Sequence, residues 1–183
     1  DLSITTLLTR EPGATELGQK IRAMVQDKEV SRTPQAEYLL FAADRAQHIH
    51  EIVTPALENN MLVISDRMAD SSLAYQGYGR GLSIDMISQI NQWAMHNIQP
   101  DLVFYLRITP EDAYKRIVAR NKTLTAFEEK KEFMHRVMHG FDTIFADRTN
   151  VMTLDATQTQ ETLTSTALTG IMTWLKQHNL LTH

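Results

Sequence analysis

The sequence predicts an α/β fold: three layers, with a parallel sheet flanked by helices on both faces. Three observations lead there. Short apolar or β-branched runs alternate along the chain with segments of helical period. Two of those runs, 61–65 and 102–107, are almost continuously apolar, as in strands buried on both faces. Strands separated by helices form parallel βαβ units with right-handed crossovers. No repeat, low-complexity tract or linker interrupts the alternation, so the 183 residues read as one domain.

Residues 2–8 are β-branched and predict the first strand. Residues 14–26 predict a helix with Leu17, Ile21, Met24 and Val25 on one face. Thr33 followed by Pro34 is a helix start, a cap and then proline at the first helical position. That helix carries Tyr38, Leu39, Phe41, Ala42 and Ile49, and Pro55 should break or restart it near Thr54. A strand is expected over 61–65, a loop over 77–81, and a helix capped by Ser83 through about His96. The strand at 102–107 precedes Thr109-Pro110-Glu111-Asp112, whose acids suit the first turn of a helix. Residues 121–127 read as a mobile connection. A charged helix over 129–146, a strand over 151–154 and an amphipathic helix over 160–178 complete the chain.

Composition narrows the function. Hydrophobic residues make up 43% and charged residues 22%, which excludes a disordered or fibrous chain. Apolar runs such as Leu102 to Leu106 are too short to cross a bilayer, so no membrane association is expected. No basic, apolar, small-residue leader is read at the start, and secretion is not expected. The absence of cysteine excludes disulfide scaffolds and cysteine zinc sites and suits a reducing cytoplasm. A net charge of −4 argues against a nucleic-acid partner, which usually demands a basic surface. Arginine supplies 11 of the 18 basic residues, and its planar fork grips phosphate in two places.

In parallel folds ligands bind outside the carboxyl ends of the strands. Thr9-Arg10-Glu11-Pro12-Gly13 follows the first strand and Asp66-Arg67 follows the 61–65 strand. Each end thus delivers an arginine beside a carboxylate. Two local ion pairs are one reading. The other is a shared phosphate site, in which paired forks spread charge around a transferring phosphoryl group.

The order and wording of the segments resemble the thymidylate kinases, from about Leu7 to Leu175. The resemblance rests on Thr9-Arg-Glu-Pro-Gly13, Leu40-Phe-Ala-Ala-Asp-Arg45, Asp66-Arg67, Ser71-Ser-Leu-Ala-Tyr-Gln-Gly77 and Gly79-Arg-Gly-Leu82. Pro100-Asp101 and the Arg116/Arg120 spacing continue it. It implies a P-loop nucleoside monophosphate kinase fold and ATP-dependent phosphorylation of dTMP to dTDP for dTTP synthesis. Mg²⁺ is implied, with ATP as co-substrate, in a cytoplasmic homodimer.

The resemblance also implies roles. Phe41 stacks on the thymine and Arg45 hydrogen-bonds the base; four residues apart, they share one helix face. Phe41 alone would more often be plain core. Arg10 holds the dTMP phosphate, Arg67 contacts the phosphates near the point of transfer, and Asp66 organises the magnesium region through water. Arg10, Asp66 and Arg67 are thus the catalytic candidates. Ser71, Ser72, Tyr75 and Gln76 contact base and sugar, with Tyr75 placed where a ribose 2′-hydroxyl would clash; a surface loop is the plainer reading. Arg116, Arg120 and Glu128 fall on the donor side, at a mobile lid around 120–130, unless the two arginines merely solvate a helix face. Family members usually read Asp-Arg-x-Glu in the lid, and here only Glu128 matches. Met68 and Phe141 are smaller departures.

No G-x-x-x-x-G-K-[ST] occurs; none of the seven glycines precedes lysine. In the family that phosphate-cradling loop follows the first strand, so the strand, loop and helix are expected upstream of Asp1. A chain truly beginning at Asp1 should fold poorly and not turn over ATP. Two alternatives follow: a catalytically inactive deoxynucleotide-binding protein, or a related nucleoside monophosphate kinase with another base preference. His135 and His139, at i and i+4, have the spacing of a metal pair but no third ligand. His48 and His50 are expected to be solvated, and the nine methionines lie at core spacings.

Overall fold

The computed structural model describes residues 4–120 and 127–180, apart from the side chains of 117, 118, 120 and 127–130. β1 (Thr6–Arg10) pairs in parallel with β2 (Leu62–Asp66), Thr6 opposite Leu62 and Arg10 opposite Asp66. β3 (Val103–Arg107) pairs in parallel with β4 (Val151–Asp155). The strands are those expected, β1 lying a few residues later than the β-branched run. Among the described residues the strands make two parallel pairs, β1 with β2 and β3 with β4. Each strand satisfies one edge within its pair, and no described strand ladders to the others. Leu8 and Ile64 are register partners on one face of the first pair, and they are 76% and 40% exposed.

The helices begin where local chemistry demands. Thr15 accepts from the Gly18 amide to start α1 (Glu16–Gln26), Thr33 from Ala36 to start α2 (Pro34–His48). Each cap satisfies an amide that the first turn leaves without a carbonyl. α2 runs into a π-helical turn, 49–53, and α3 (Thr54–Glu58) restarts with Pro55 in its first turn, as expected. α4 (Ala69–Ser72) continues into a second π-helical stretch, Leu73–Gly79. The expected loop at 77–81 is therefore half helical. A Cβ on Gly79 would stand 2.7 Å from the Phe133 ring and one on Gly140 2.7 Å from Tyr78, so these two glycines permit close approach of two helices. Ser83 caps α5 (Ile84–Ala94). α6 (Pro110–Arg120), α7 (Phe127–Phe145) and α8 (Gln160–Gln177) follow. The mobile connection and most of the lid expected over 120–130 lie outside the described residues.

Two buried clusters hold α2 in place. Tyr38, Ala42 and Ile87 pack with Leu73, Leu82 and Ile90; Ile49, Val53 and Met95 pack with Val63, Met68 and Ile98. Burying one such Ile contributes about 1.5–3 kcal/mol. α7 is fixed to β3 by Arg107, whose Nε and Nη2 donate to the two Asp142 oxygens at 2.9 Å. Burial, with the Asp142 charge behind it, pushes the Tyr105 hydroxyl up to about 12, which keeps it a donor to Asp142. The result brings the carboxyl ends of β1 and β2, one face of α2 and the 69–79 segment together.

Candidate active site

β1 and β2 end side by side, so Arg10 and Asp66 are neighbours across the ladder, with Arg67 next in line. All three are exposed. Neither local ion pair closes. Glu11 instead turns inward to α2, and Arg67 lies over the Tyr75 ring, 5.2 Å from its centroid. Arg67 has φ +67°, a left-handed conformation uncommon for any residue that carries a Cβ. The Glu11 amide donates to the Asp66 carbonyl at 3.2 Å, so pairing continues one residue past β1.

The turn after β1 is tightly held. Glu11-Pro12 is a cis peptide, and Gly13 has φ +106°, where a Cβ would also meet Arg22. The Gly13 amide donates to Asp44 Oδ1 at 3.0 Å and the Pro12 carbonyl accepts from Arg22. Asp44 Oδ2 is buried without a partner. Burial raises the Asp44 carboxyl above its ordinary value, and the Glu11 charge adds to that, against the Gly13 amide. A carboxyl raised in the fold contributes stability below its unfolded value, and that contribution is lost as pH rises through the folded one. Asp44→Asn keeps the acceptor for Gly13 and removes the charge. Its melting temperature should match or exceed the wild type at neutral pH and fall less from about pH 4 upward, as scanning across pH will register.

Arg45 sits at the centre, 2% exposed. Its Nε donates to Glu11 Oε2 at 2.9 Å, Nη1 to Asn91 Oδ1 at 2.6 Å and Nη2 to Ser72 Oγ at 3.1 Å. His48 is fully buried, which corrects the solvated expectation; His50 is exposed as expected. His48 Nδ1 lies 3.0 Å from Glu11 Oε1 and Nε2 2.7 Å from Thr9 Oγ1. Phe41 is half-buried one turn before Arg45 on the same face of α2. Glu37, a further turn back, accepts from Gln76 Nε2 at 3.1 Å and Arg80 Nη2 at 3.3 Å.

The 71–76 stretch is not a surface loop. Ser72 and Gln76 are buried, Ser71 half-buried, and Tyr75 packs edge-on against Phe133 and Phe141 of α7. The structure thus brings together Arg45, Ser72 and the β1 end, and separately Arg67 with Tyr75. Arg116 stands apart: its Nη2 donates to the Ala156 carbonyl just past β4, at 2.6 Å. The Arg120 and Glu128 side chains lie outside the description. No group of three or more His, Asp or Glu among the described residues could hold a metal alone.

The sequence pattern gives no site role to His48, Asn91, Asp44 or Glu37, and it offers Glu11 only a local partner. One signal was present. Thr9 and Glu11 share a strand face, and Arg45 and His48 share a helix face. That the two faces meet is a long-range fact no local pattern carries.

Comparison with known proteins agrees with the residues. The family model described as thymidylate kinase matches residues 1–166. A thymidylate kinase of Halothermothrix orenii is 40% identical over 158 residues, 85% of this chain and 76% of its own. One from Chlorobaculum parvum is 41% identical over 165 residues, covering 85% and 76%. One from Prochlorococcus marinus is 42% identical over 174 residues, covering 93% and 77%. No helix among the described residues is long and apolar enough to cross a membrane.

Proposed function

Because the chain belongs to the thymidylate kinase family, we propose that it binds its acceptor between the ends of β1 and β2, α2 and the 69–79 segment. The reaction is ATP-dependent phosphorylation of dTMP to dTDP, and the fold is that of the P-loop nucleoside monophosphate kinases. The observation that supports the placement is the continuity of the cluster. Glu11 bonds the Asp66 backbone on one side and the Arg45 guanidinium on the other.

Phosphoryl transfer needs little covalent help from protein; positioning and charge stabilisation carry it. Arg10 and Arg67 share the acceptor and transferring phosphates. Arg67 can do so because it is exposed and its guanidinium, held face-on over the Tyr75 ring, keeps its N–H edge free to donate. Phe41 stacks on the thymine, and Arg45 donates to the base. Ser71, Ser72, Tyr75 and Gln76 border base and sugar, with Tyr75 excluding a 2′-hydroxyl. Arg116 serves the donor side. A lid over the donor would exclude water, which otherwise competes as acceptor.

Mg²⁺ fits this residue set as a phosphate-bound ion. Asp66 offers one exposed carboxylate at the strand end with no ion pair of its own, and Mg²⁺ commonly takes one or two carboxylates plus substrate phosphates. Bound there, the ion would neutralise phosphate charge, with Asp66 holding it through water. The absence of cysteine supports a reducing cytoplasm as the setting, and a net charge of −4 supports a small-molecule acceptor over nucleic acid.

In protein that carries the phosphate-cradling loop, coupled ADP release should be fast with dTMP and poor with UMP and ribo-TMP; equal rates with all three would refute the assignment of Phe41 and Tyr75. Phe41→Ala should weaken dTMP binding by about 1–3 kcal/mol, the range for one lost base stack, as calorimetry will measure. A homodimer would use the apolar groove beside the ends of α1 and α2, lined by Met24, Val30, Ala36, Leu39 and Leu40. Met24, Val30 and Leu39 are each more than half exposed. Leu39→Glu should halve the mass seen in sedimentation; an unchanged mass would place the seam elsewhere.

A further inference from the structure

We propose that His48, Glu11 and Thr9 form a clamp that positions the Arg45 guanidinium for reading the nucleobase. The inference rests on Arg45 being the base-contacting residue.

The clamp is built from two short periods facing each other. Thr9 and Glu11 are two apart at the end of β1, so they project to one side. Arg45 and His48 are three apart on α2 and share its face. His48 spans the strand pair, Nε2 to Thr9 Oγ1 at 2.7 Å and Nδ1 to Glu11 Oε1 at 3.0 Å. A carboxylate only accepts, so Nδ1 carries the ring proton and the Thr9 hydroxyl donates to Nε2 in the neutral ring. Glu11 is thereby held by one oxygen while its other takes Arg45 Nε at 2.9 Å.

The consequence for Arg45 is geometric. The protein uses three of its five N–H donors, one on each nitrogen. One N–H remains on each terminal nitrogen. The guanidinium is planar, so fixing Nε, Nη1 and Nη2 fixes the direction of those two. A pyrimidine carbonyl can accept from them; an exocyclic amino group, which donates, cannot. Releasing the Glu11 end lets the plane rotate and spoils that alignment without touching the phosphate-binding arginines. Glu11 also donates its amide to the Asp66 carbonyl. The residue that orients base recognition is thus anchored to the strand end that carries Arg10, beside Asp66 and Arg67.

His48 and Glu11 are positioning residues, and the test must separate orientation from folding. Affinity is measured on the full chain for dTMP and for deoxyribose 5-phosphate, which has the phosphate and sugar but no base. His48→Leu should weaken dTMP about tenfold, the size of one compromised buried polar contact, and leave deoxyribose 5-phosphate unchanged. His48→Asn, whose amide nitrogen can replace Nδ1 as donor to Glu11, should restore most of the difference. Glu11→Gln should behave as His48→Leu and carries the comparison if the leucine variant does not fold. A dTMP to deoxyribose 5-phosphate ratio equal to the wild type in whichever of these two folds overturns the clamp. Equal loss for both ligands also overturns it, since that is the mark of general damage. Wild-type protein that fails to prefer dTMP over deoxyribose 5-phosphate would instead remove base reading by Arg45 itself.

Discussion

Arg45→Leu is expected to cost about 3–5 kcal/mol of folding stability, because it breaks a buried ion pair from one side only. The leucine can fill much of the space. It cannot satisfy Glu11 Oε2 and Ser72 Oγ, and it leaves Asn91 Oδ1 with the Tyr38 hydroxyl alone. Glu11 is 6% exposed and keeps only His48. An uncompensated carboxylate in that environment must either take a proton or draw in water. Urea unfolding will measure the loss as a lower midpoint at unchanged slope. Arg45→Leu combined with Glu11→Leu should recover part of the loss, since removing both charges of a buried pair is far less harmful than removing one. A loss below about 1 kcal/mol, the range of an exposed pair, would mean that the cluster is hydrated.

Arg67→Gly should have the opposite profile: turnover falls about 10²–10³-fold, the scale for losing one preorganised donor to a developing negative charge, while stability holds or rises. The reasoning joins two observations. Arg67 is exposed and makes no ion pair, so little packing is lost with it. Its φ of +67° is a left-handed conformation that disfavours any residue with a Cβ and suits glycine, and relieving it is worth up to about 1–2 kcal/mol. A side chain retained at such a position needs a use, and its guanidinium lies 5.2 Å over Tyr75, beside the end of β2. Arg67→Lys should recover charge but not the fork and so remain well below wild type. Paired thermal scans and initial-rate assays will show the split. Full turnover in Arg67→Gly would remove this arginine from the reacting phosphates.

What the sequence by itself determined are the features set by neighbours in the chain. Thr33-Pro34, Ser83 and Thr109-Pro110 placed the starts of α2, α5 and α6, because a cap or a proline acts within one turn. The apolar runs at 61–65 and 102–107 placed β2 and β3, and motif order identified the family. Tertiary structure alone decided which faces are covered and which polar groups meet. Periodicity put Leu39 and Tyr38 on one helix alike, yet Tyr38 is buried against Ile87 and Leu39 faces out. His48 read as a solvated residue, since nothing local tells that Thr9 and Glu11 lie across from it. Glu11 read as the partner of Arg10, its neighbour. It binds Arg45, 34 positions away, because the strand turns Arg10 outward and Glu11 inward. The stretch at 77–79 is helical where a loop was expected, and Gly79 and Gly140 let the 73–79 turn and α7 pack closely there. Hydrogen bonds within a turn are a property of a few residues. Burial, and the pairing of a buried charge, belong to whatever segment the fold brings opposite.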